Sequence, residues 1–290
     1  MKKGMYLFLT IALFLLQSPP VAFPLSEADI SIIPSEIGQG EISFLTIFKS
    51  EEVIPEVLWM GKKISLVPDK EKGILFSFIG ADLTTEPGRY KLEICGNNSS
   101  HKVMMNVLSK DYGTRRLNLP EKIVSLDAET LKRARKESKR MKEVFSSSAE
   151  RPLWSGKWIR PVQGEIVGPF GRKSIINNMK RAPHSGVDFR AAKGTPVKAT
   201  NKGKVVLVNN HFFSGLTVVL DHGGSIHSMY FHLDYSFVDV GQPIEKGDII
   251  GLSGSTGRAT GPHLHFGIRL NGNRVDPINL LEISERLEKK

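Results

Sequence analysis

From about Pro152 to the last few residues, glycine and proline punctuate the chain so densely that no long helical pattern fits between them. The runs they bound are "TPVKATNKGKVVLVNN", "LTVVLDHG", "SIHSMYFHL", "DIIGLSG" and "HLHFGIRLNG". They are short, apolar and rich in β-branched residues, so strands joined by tight turns are the structure they can form. The same punctuation marks residues from about Glu27 to Leu108. There "ISFLTIF", "GILFSFI", "YKLEI" and "KVMMNVL" alternate with "GQG", "MGKK", "PDKEKG", "EPG" and "GNNSS". That spacing predicts a small antiparallel sandwich.

One segment between them breaks the pattern. "DAETLKRARKESKRMKEVF" contains neither Pro nor Gly, and Asp127 can cap it. Leu131, Ala134, Ser138, Met141 and Phe145 form a thin apolar stripe at helical spacing, while the remaining surface is dense in Lys and Arg. The expectation is a linker helix resting on a neighbouring domain, with its basic face free for anionic wall polymer or membrane. The predicted fold class is therefore all-β: an N-terminal sandwich, a basic linker helix and a C-terminal antiparallel sheet domain. The corresponding divisions are 1–22, a signal peptide; 25–110, the sandwich; 111–150, the linker; and 151–290, the second β domain. A chain of 290 residues can supply a core to each β unit.

Lys2 and Lys3 precede a nearly unbroken apolar run from Met5 to Leu16, the pattern of an export signal, with cleavage expected after Ala22. The run falls short of the roughly 18 apolar residues of a membrane span, so no stable span is expected after processing. Export would place the protein in the periplasm, the cell wall or outside the cell. Lys plus Arg exceed Asp plus Glu by 40 to 30, a net charge of +10, which favours anionic partners. A single cysteine, Cys95, excludes an intrachain disulfide and reads as a small core residue.

The chemistry concentrates in the second β domain. Residues two apart on a strand share a face, so His263 and His265 point the same way. In "APHSGVDFR", an extended run would place His184, Gly186 and Asp188 on one face, and Gly186 would leave open space between the two side chains. In "SMYFHL", Tyr230 and His232 would share a face, with His227 opposite His232. Two imidazoles and a carboxylate with an open fourth position are what a catalytic zinc site requires, and the lack of thiolates argues against a structural one. His184, Asp188 and one histidine of the pair fit, leaving two histidines for proton transfer or oxyanion stabilisation. Spacing alone leaves open which of His263 and His265 would bind the metal.

These motifs resemble the lysostaphin-type (LytM-like) zinc endopeptidases of peptidoglycan over roughly residues 160–280. "GPFGRK" looks like that family's opening strand, "HSGVD" its His-x-Gly-x-Asp motif, "GTPVKATNKGKVV" its following hairpin and "YFHL" its Tyr-x-His-Leu strand. "GSTGRATGPHLHFGI" matches the Gly-rich loop and His-x-His strand, and "VDPINLL" the exit. The resemblance implies Zn²⁺ held by His184, Asp188 and His265, with His232 and His263 catalytic. It also implies peptidoglycan, not nucleic acid, as partner and peptide hydrolysis as activity. The alternative is a non-catalytic activator or wall-binding scaffold of the same fold, as in relatives that have lost ligands; here no motif position is missing. "DLTTEPGRYKLEI" resembles the late-strand corner of immunoglobulin-like domains, through Gly88 and Tyr90.

Several residues are expected to stay outside the chemistry. His222 and His211 fall in turns, and His227 is excluded by parity. Gly254, Gly257 and Gly261 would permit tight turns beside the cleft, not a phosphate loop, since no helix follows. "KSIINNMKRAP" would form a loop at the cleft edge, with Lys173, Lys180 and Arg181 available to substrate.

Overall fold

A computed structural model describes residues 26, 29–48, 54–96, 100–118 and 126–288. The predicted signal peptide, 1–22, lies outside them. Among the described residues no helix is long and apolar enough to cross a membrane.

Among the described residues the architecture is all-β with two α-helices, Ala128–Ser146 and Pro277–Ser284. In the N-terminal unit, one sheet orders Ile30–Ile33, Ile42–Phe48, Ile74–Gly80 and Val67–Asp69. The facing sheet orders Glu36–Gly38, Ser100–Leu108, Gly88–Cys95, Glu56–Trp59 and Lys62–Ile64. Alternation fills the space between them with Leu45, Ile47, Val57, Trp59, Leu75, Leu92 and Met105. The Tyr90 hydroxyl donates to the Glu86 carbonyl at 2.7 Å and ties the Glu86–Tyr90 corner. Cys95 is half-buried at the end of its strand, and does not sit in this core.

The C-terminal unit is one large antiparallel sheet. Its main path runs Ile166–Gly168, Val187–Arg190, His263–Leu270, Ile226–Ser236, Gly215–Asp221, Gly203–His211 and Pro243–Ile244. On the central strand His263–Leu270, alternate residues separate the two faces. Leu264, Phe266, Ile268 and Leu270 enter the main core, and His263, His265, Gly267 and Arg269 take the other face.

The two units share a core that the sequence does not announce. Phe44, Phe76 and Phe78 project from the outer face of a sandwich sheet onto Trp154, whose ring lies 5.2 Å from Phe78 and 5.8 Å from Trp158. That sandwich sheet is therefore buried on both faces. The polar seam beside it is satisfied by pairing: Ile42 N–H donates to Asn279 Oδ1 at 2.7 Å, Asp276 N–H to the Gly40 carbonyl at 2.8 Å, and Arg274 Nε to Asp82 Oδ2 at 3.0 Å.

The linker helix spans Ala128–Ser146, with Asp127 accepting from Thr130 N–H at its start. Its anchor is Val144, which the stripe read from sequence omits; Val144 packs on Leu207, Val219 and Met229, while Leu131 stays 38% exposed. The helix thus lies on the same sheet face as His263 and His265. Polar contacts hold its upper half, with Arg133 Nη2 donating to the Asn210 carbonyl at 3.0 Å and Phe212 N–H to Glu137 Oε2 at 2.8 Å.

The expected loop before His184 is a β-hairpin. Lys173–Ile176 and Met179–Arg181 pair across Asn177 and Asn178, whose φ angles of 49° and 61° make a tight two-residue turn that Asn tolerates. Thr114–Leu117 of the linker adds a parallel strand to this hairpin. Lys173, Lys180 and Arg181 are exposed on it.

Candidate metal centre

Two neighbouring strands build the site. Val187–Arg190 pairs with His263–Leu270 so that Asp188 lies directly opposite His265. His184 precedes the first strand in extended backbone, on the same face as Asp188. The hairpin base holds it there, since His184 N–H donates to the Arg172 carbonyl and its own carbonyl accepts from Gly171 N–H. Gly186 does not leave open space, as the sequence suggested. A Cβ there would lie 2.7 Å from His265 Nε2 and 2.4 Å from the Phe266 carbonyl, so the missing side chain admits the His265 ring.

Three donor atoms converge. His184 Nε2 is 3.0 Å from Asp188 Oδ1 and 3.0 Å from His265 Nδ1, and His265 Nδ1 is 2.9 Å from Asp188 Oδ1. His184 Nδ1 donates to the Pro169 carbonyl at 2.9 Å, which can only accept. A neutral His184 therefore turns the lone pair of Nε2 inwards. Three acceptor atoms this close repel one another until a proton or a cation sits among them, which is the condition a metal site exploits. Burial alone would raise the Asp188 carboxyl, but when a proton is shared among the three groups the hydrogen bonds and charge of His184 and His265 hold it well below the usual carboxylate range. Burial pushes the His265 imidazole down, against the pull of Asp188. Phe231 stacks flat on that ring at 5.0 Å and 10°.

Two further histidines border the triangle. His263 Nδ1 donates to the Gly261 carbonyl at 2.8 Å, which leaves Nε2 facing the centre, 3.9 Å from Asp188 Oδ1. His232 Nδ1 donates to the Thr256 carbonyl at 2.8 Å, and its ring lies 4.7 Å from that of His263. Burial lowers His232 to about 4, partly opposed by the Thr256 bond, so the ring is neutral near pH 7. The structure therefore gathers all five residues singled out in the sequence. The carbonyls of Pro169, Gly261 and Thr256, which fix the tautomers, carry no signal in residue type.

His232 arrives by a route that parity does not predict. Its φ is +62°, and the pairing of its strand with Gly215–Asp221 slips between Tyr230 and Leu233. This bulge puts Phe231 and His232 both on the site face, while Tyr230 turns into the core, where its hydroxyl accepts from Thr200 N–H at 2.9 Å. Tyr230 and His232 therefore do not share a face. His227 likewise faces the same side as the site, but under the linker helix, where Nε2 donates to the Ser147 carbonyl at 3.1 Å. The bulge is held by His232 N–H donating to the Ser214 carbonyl and by the Gly-rich loop, whose Thr256 hydroxyl donates to the Leu233 carbonyl. His222 is fully buried, between the Lys202 carbonyl and the Ser228 hydroxyl.

Residues 182–277 match the sequence profile of Peptidase family M23. The crystal structure of a peptidase M23 candidate from Pseudomonas aeruginosa is 32% identical, with a TM-score of 0.68, and the likeness covers 84% of this chain and 95% of that one. The chain belongs to peptidase family M23. This M23 protein is also 45% identical over 95 residues to the peptidoglycan DD-endopeptidase ShyA of Vibrio cholerae, over 33% of this chain and 22% of the relative. It is 35% identical over 121 residues to the DD-carboxypeptidase/endopeptidase Mpg of Neisseria meningitidis, over 41% of this chain and 27% of the relative. The match thus spans about a quarter of the length of these curated relatives. M23 proteins are metallopeptidases, and the His184, Asp188 and His265 cluster is a metal-type donor set in this one.

Proposed function

We propose that the protein is a zinc-dependent endopeptidase that hydrolyses peptide bonds in peptidoglycan stems or cross-bridges. The observation that carries the reading is the convergence of His184 Nε2, Asp188 Oδ1 and His265 Nδ1 within 3.0 Å of one another. Two neutral imidazoles and one carboxylate suit zinc, and these three residues would hold it. When bound, zinc supplies Lewis acidity, which lowers the pKa of water to about 7 and polarises a carbonyl.

The remaining work falls to the chain's own side chains. With Nδ1–H engaged by a backbone carbonyl, His263 and His232 each offer a free Nε2. One of the pair accepts a proton from the attacking water. That proton is the one the leaving amine needs, returned directly or through the other histidine, whose imidazolium stabilises the oxyanion while it carries it. Burial keeps the His232 ring unprotonated at neutral pH.

The named activities of ShyA and Mpg support peptidoglycan as substrate, and a wall substrate agrees with the export signal expected from the sequence at residues 1–22 and with a periplasmic or cell-wall location. The sandwich acts as an immunoglobulin-like spacer, a reading supported by the Tyr90 corner. Digestion of defined walls, with mass spectrometry of the released muropeptides, tests the proposal. Peptide cleavage that a chelator abolishes and zinc restores is expected. Zinc-loaded protein that leaves every wall type uncut would overturn it.

A further inference from the structure

The linker helix divides the site face of the sheet. On the far side of the helix from the His184 cluster lies a cavity of about 660 Å³. Three segments distant in sequence wall it: the sandwich hairpin with Lys62 and Lys63, the helix with Lys142 and Phe145, and the central strand and its turn with Arg269 and Arg274. No aspartate or glutamate is among the described residues that line it.

The five cations are not equivalent. Arg274 is neutralised by Asp82, and Lys63 by Glu56 at 3.1 Å. Lys62 Nζ meets only uncharged acceptors, the Asn271 carbonyl at 3.2 Å and Asn273 Oδ1 at 3.5 Å. Lys142 has no ion-pair partner among the described residues. Arg269 is the unusual one: its Nη1 is buried with no hydrogen-bond partner, and its guanidinium lies 5.2 Å above the Phe145 ring. Burial, with the nearby Arg274 charge, lowers Arg269 to about 10, against the pull of Asp82, so it stays charged at pH 7. Arg269 as a whole is half-buried and feels Asp82 only at a distance, but a guanidinium nitrogen buried without a partner is unfavourable, and a planar oxyanion is what this fork of donors matches.

We propose that this cavity binds a compact multivalent oxyanion, carrying two or more carboxylates or phosphates, with Arg269 as its central anchor and Lys62 and Lys142 as flanking charges. Arg269 lines the cavity beneath the linker helix, between Phe145 and the sandwich hairpin, so the ligand is a small molecule or a chain end that enters the cavity and not a flat lipid surface. Because the cavity joins sandwich, linker helix and catalytic sheet, bound anion clamps the three together. Arg269 lies four residues beyond His265 on the same strand and face, about 13 Å away. The proposal does not depend on the peptidase reading.

Fluorescence anisotropy of labelled tri-glutamate on the full chain tests it, with inorganic phosphate as competitor and anionic phosphatidylglycerol vesicles in a separate arm. Tri-glutamate is expected to bind, and phosphate to displace it. Arg269→Met should weaken binding by about tenfold or more, as expected for one charge-assisted bond. Lys142→Glu, on an exposed helix position, should weaken it by about fivefold with the fold intact. His184→Ala should bind as wild type does, since the metal centre is not used. Without anion, Arg269→Met should melt no lower than wild type, because it removes a guanidinium nitrogen that is buried without a partner. Binding that survives in Arg269→Met and Lys142→Glu, binding that is lost in His184→Ala, or binding confined to vesicles would each overturn the proposal.

Discussion

His263 and His265 stand two residues apart on one strand, yet their surroundings predict opposite consequences of truncation. His265 is 7% exposed, stacks on Phe231, and places Nδ1 within 3.0 Å of both other donors. His263 Nε2 stops 3.9 Å from Asp188 Oδ1. His265→Ala therefore removes one of three donors, while His263→Ala leaves all three. The readout is the change in melting temperature between zinc-loaded and chelated protein, because this difference cancels the cavity each alanine creates. A metal at about a hundred times its Kd stabilises the folded state by about 2.7 kcal/mol. At about 2–4 °C per kcal/mol for a chain of this size, wild type should gain about 5–10 °C on zinc loading. His263→Ala should keep that gain and lose about 10²–10⁴-fold in wall-cleaving rate, the scale of a lost acid–base group. His265→Ala should lose both the gain and the activity. If His263→Ala loses the zinc-dependent gain and His265→Ala retains it, the assignment is reversed.

A buried histidine outside the site sets a pH dependence. His222 is lowered by burial from 6.5 to about 4, so between these values the unfolded chain binds a proton that the folded chain does not. Its contribution is present above pH 6.5, falls as pH drops towards 4, and amounts to about 3 kcal/mol. His222→Asn, which keeps a donor to the Lys202 carbonyl, should flatten the melting-temperature profile in that window; an unchanged slope would refute the linkage. Gly215 has φ +62°, and a Cβ there would lie 2.3 Å from Thr256 Oγ1, so Gly215→Ala should displace the loop that orients His232. Activity should then fall while zinc content, measured by mass spectrometry, stays near one; equal loss of both would count against this role. Trp154 is 4% exposed in the shared core, so Trp154→Ala should cost about 3–5 kcal/mol, with sandwich and catalytic sheet still melting together in calorimetry. Two separated transitions in wild type would show that the units do not share a core.

Local pattern and spacing already settle much of this molecule. Turn residues at short intervals point to β-structure, and Asp127 marks the start of the linker helix. The His-x-His strand and the His184–Asp188 run read correctly, because side chains alternate strictly along unbroken strands. Parity fails at His232 because a bulge adds a residue to one strand, and the loop contacts that hold it, Ser214 and Thr256, come from elsewhere in the chain. The hairpin at Asn177–Asn178 has a visible turn signal, but the linker strand Thr114–Leu117 that pairs with it does not. Tertiary structure alone decides that Phe44, Phe76 and Phe78 meet Trp154, since alternation says that a second face is apolar but not what covers it. The same holds for Arg269: its residue type says cation, and only packing beneath the linker helix leaves its Nη1 buried without a hydrogen-bond partner.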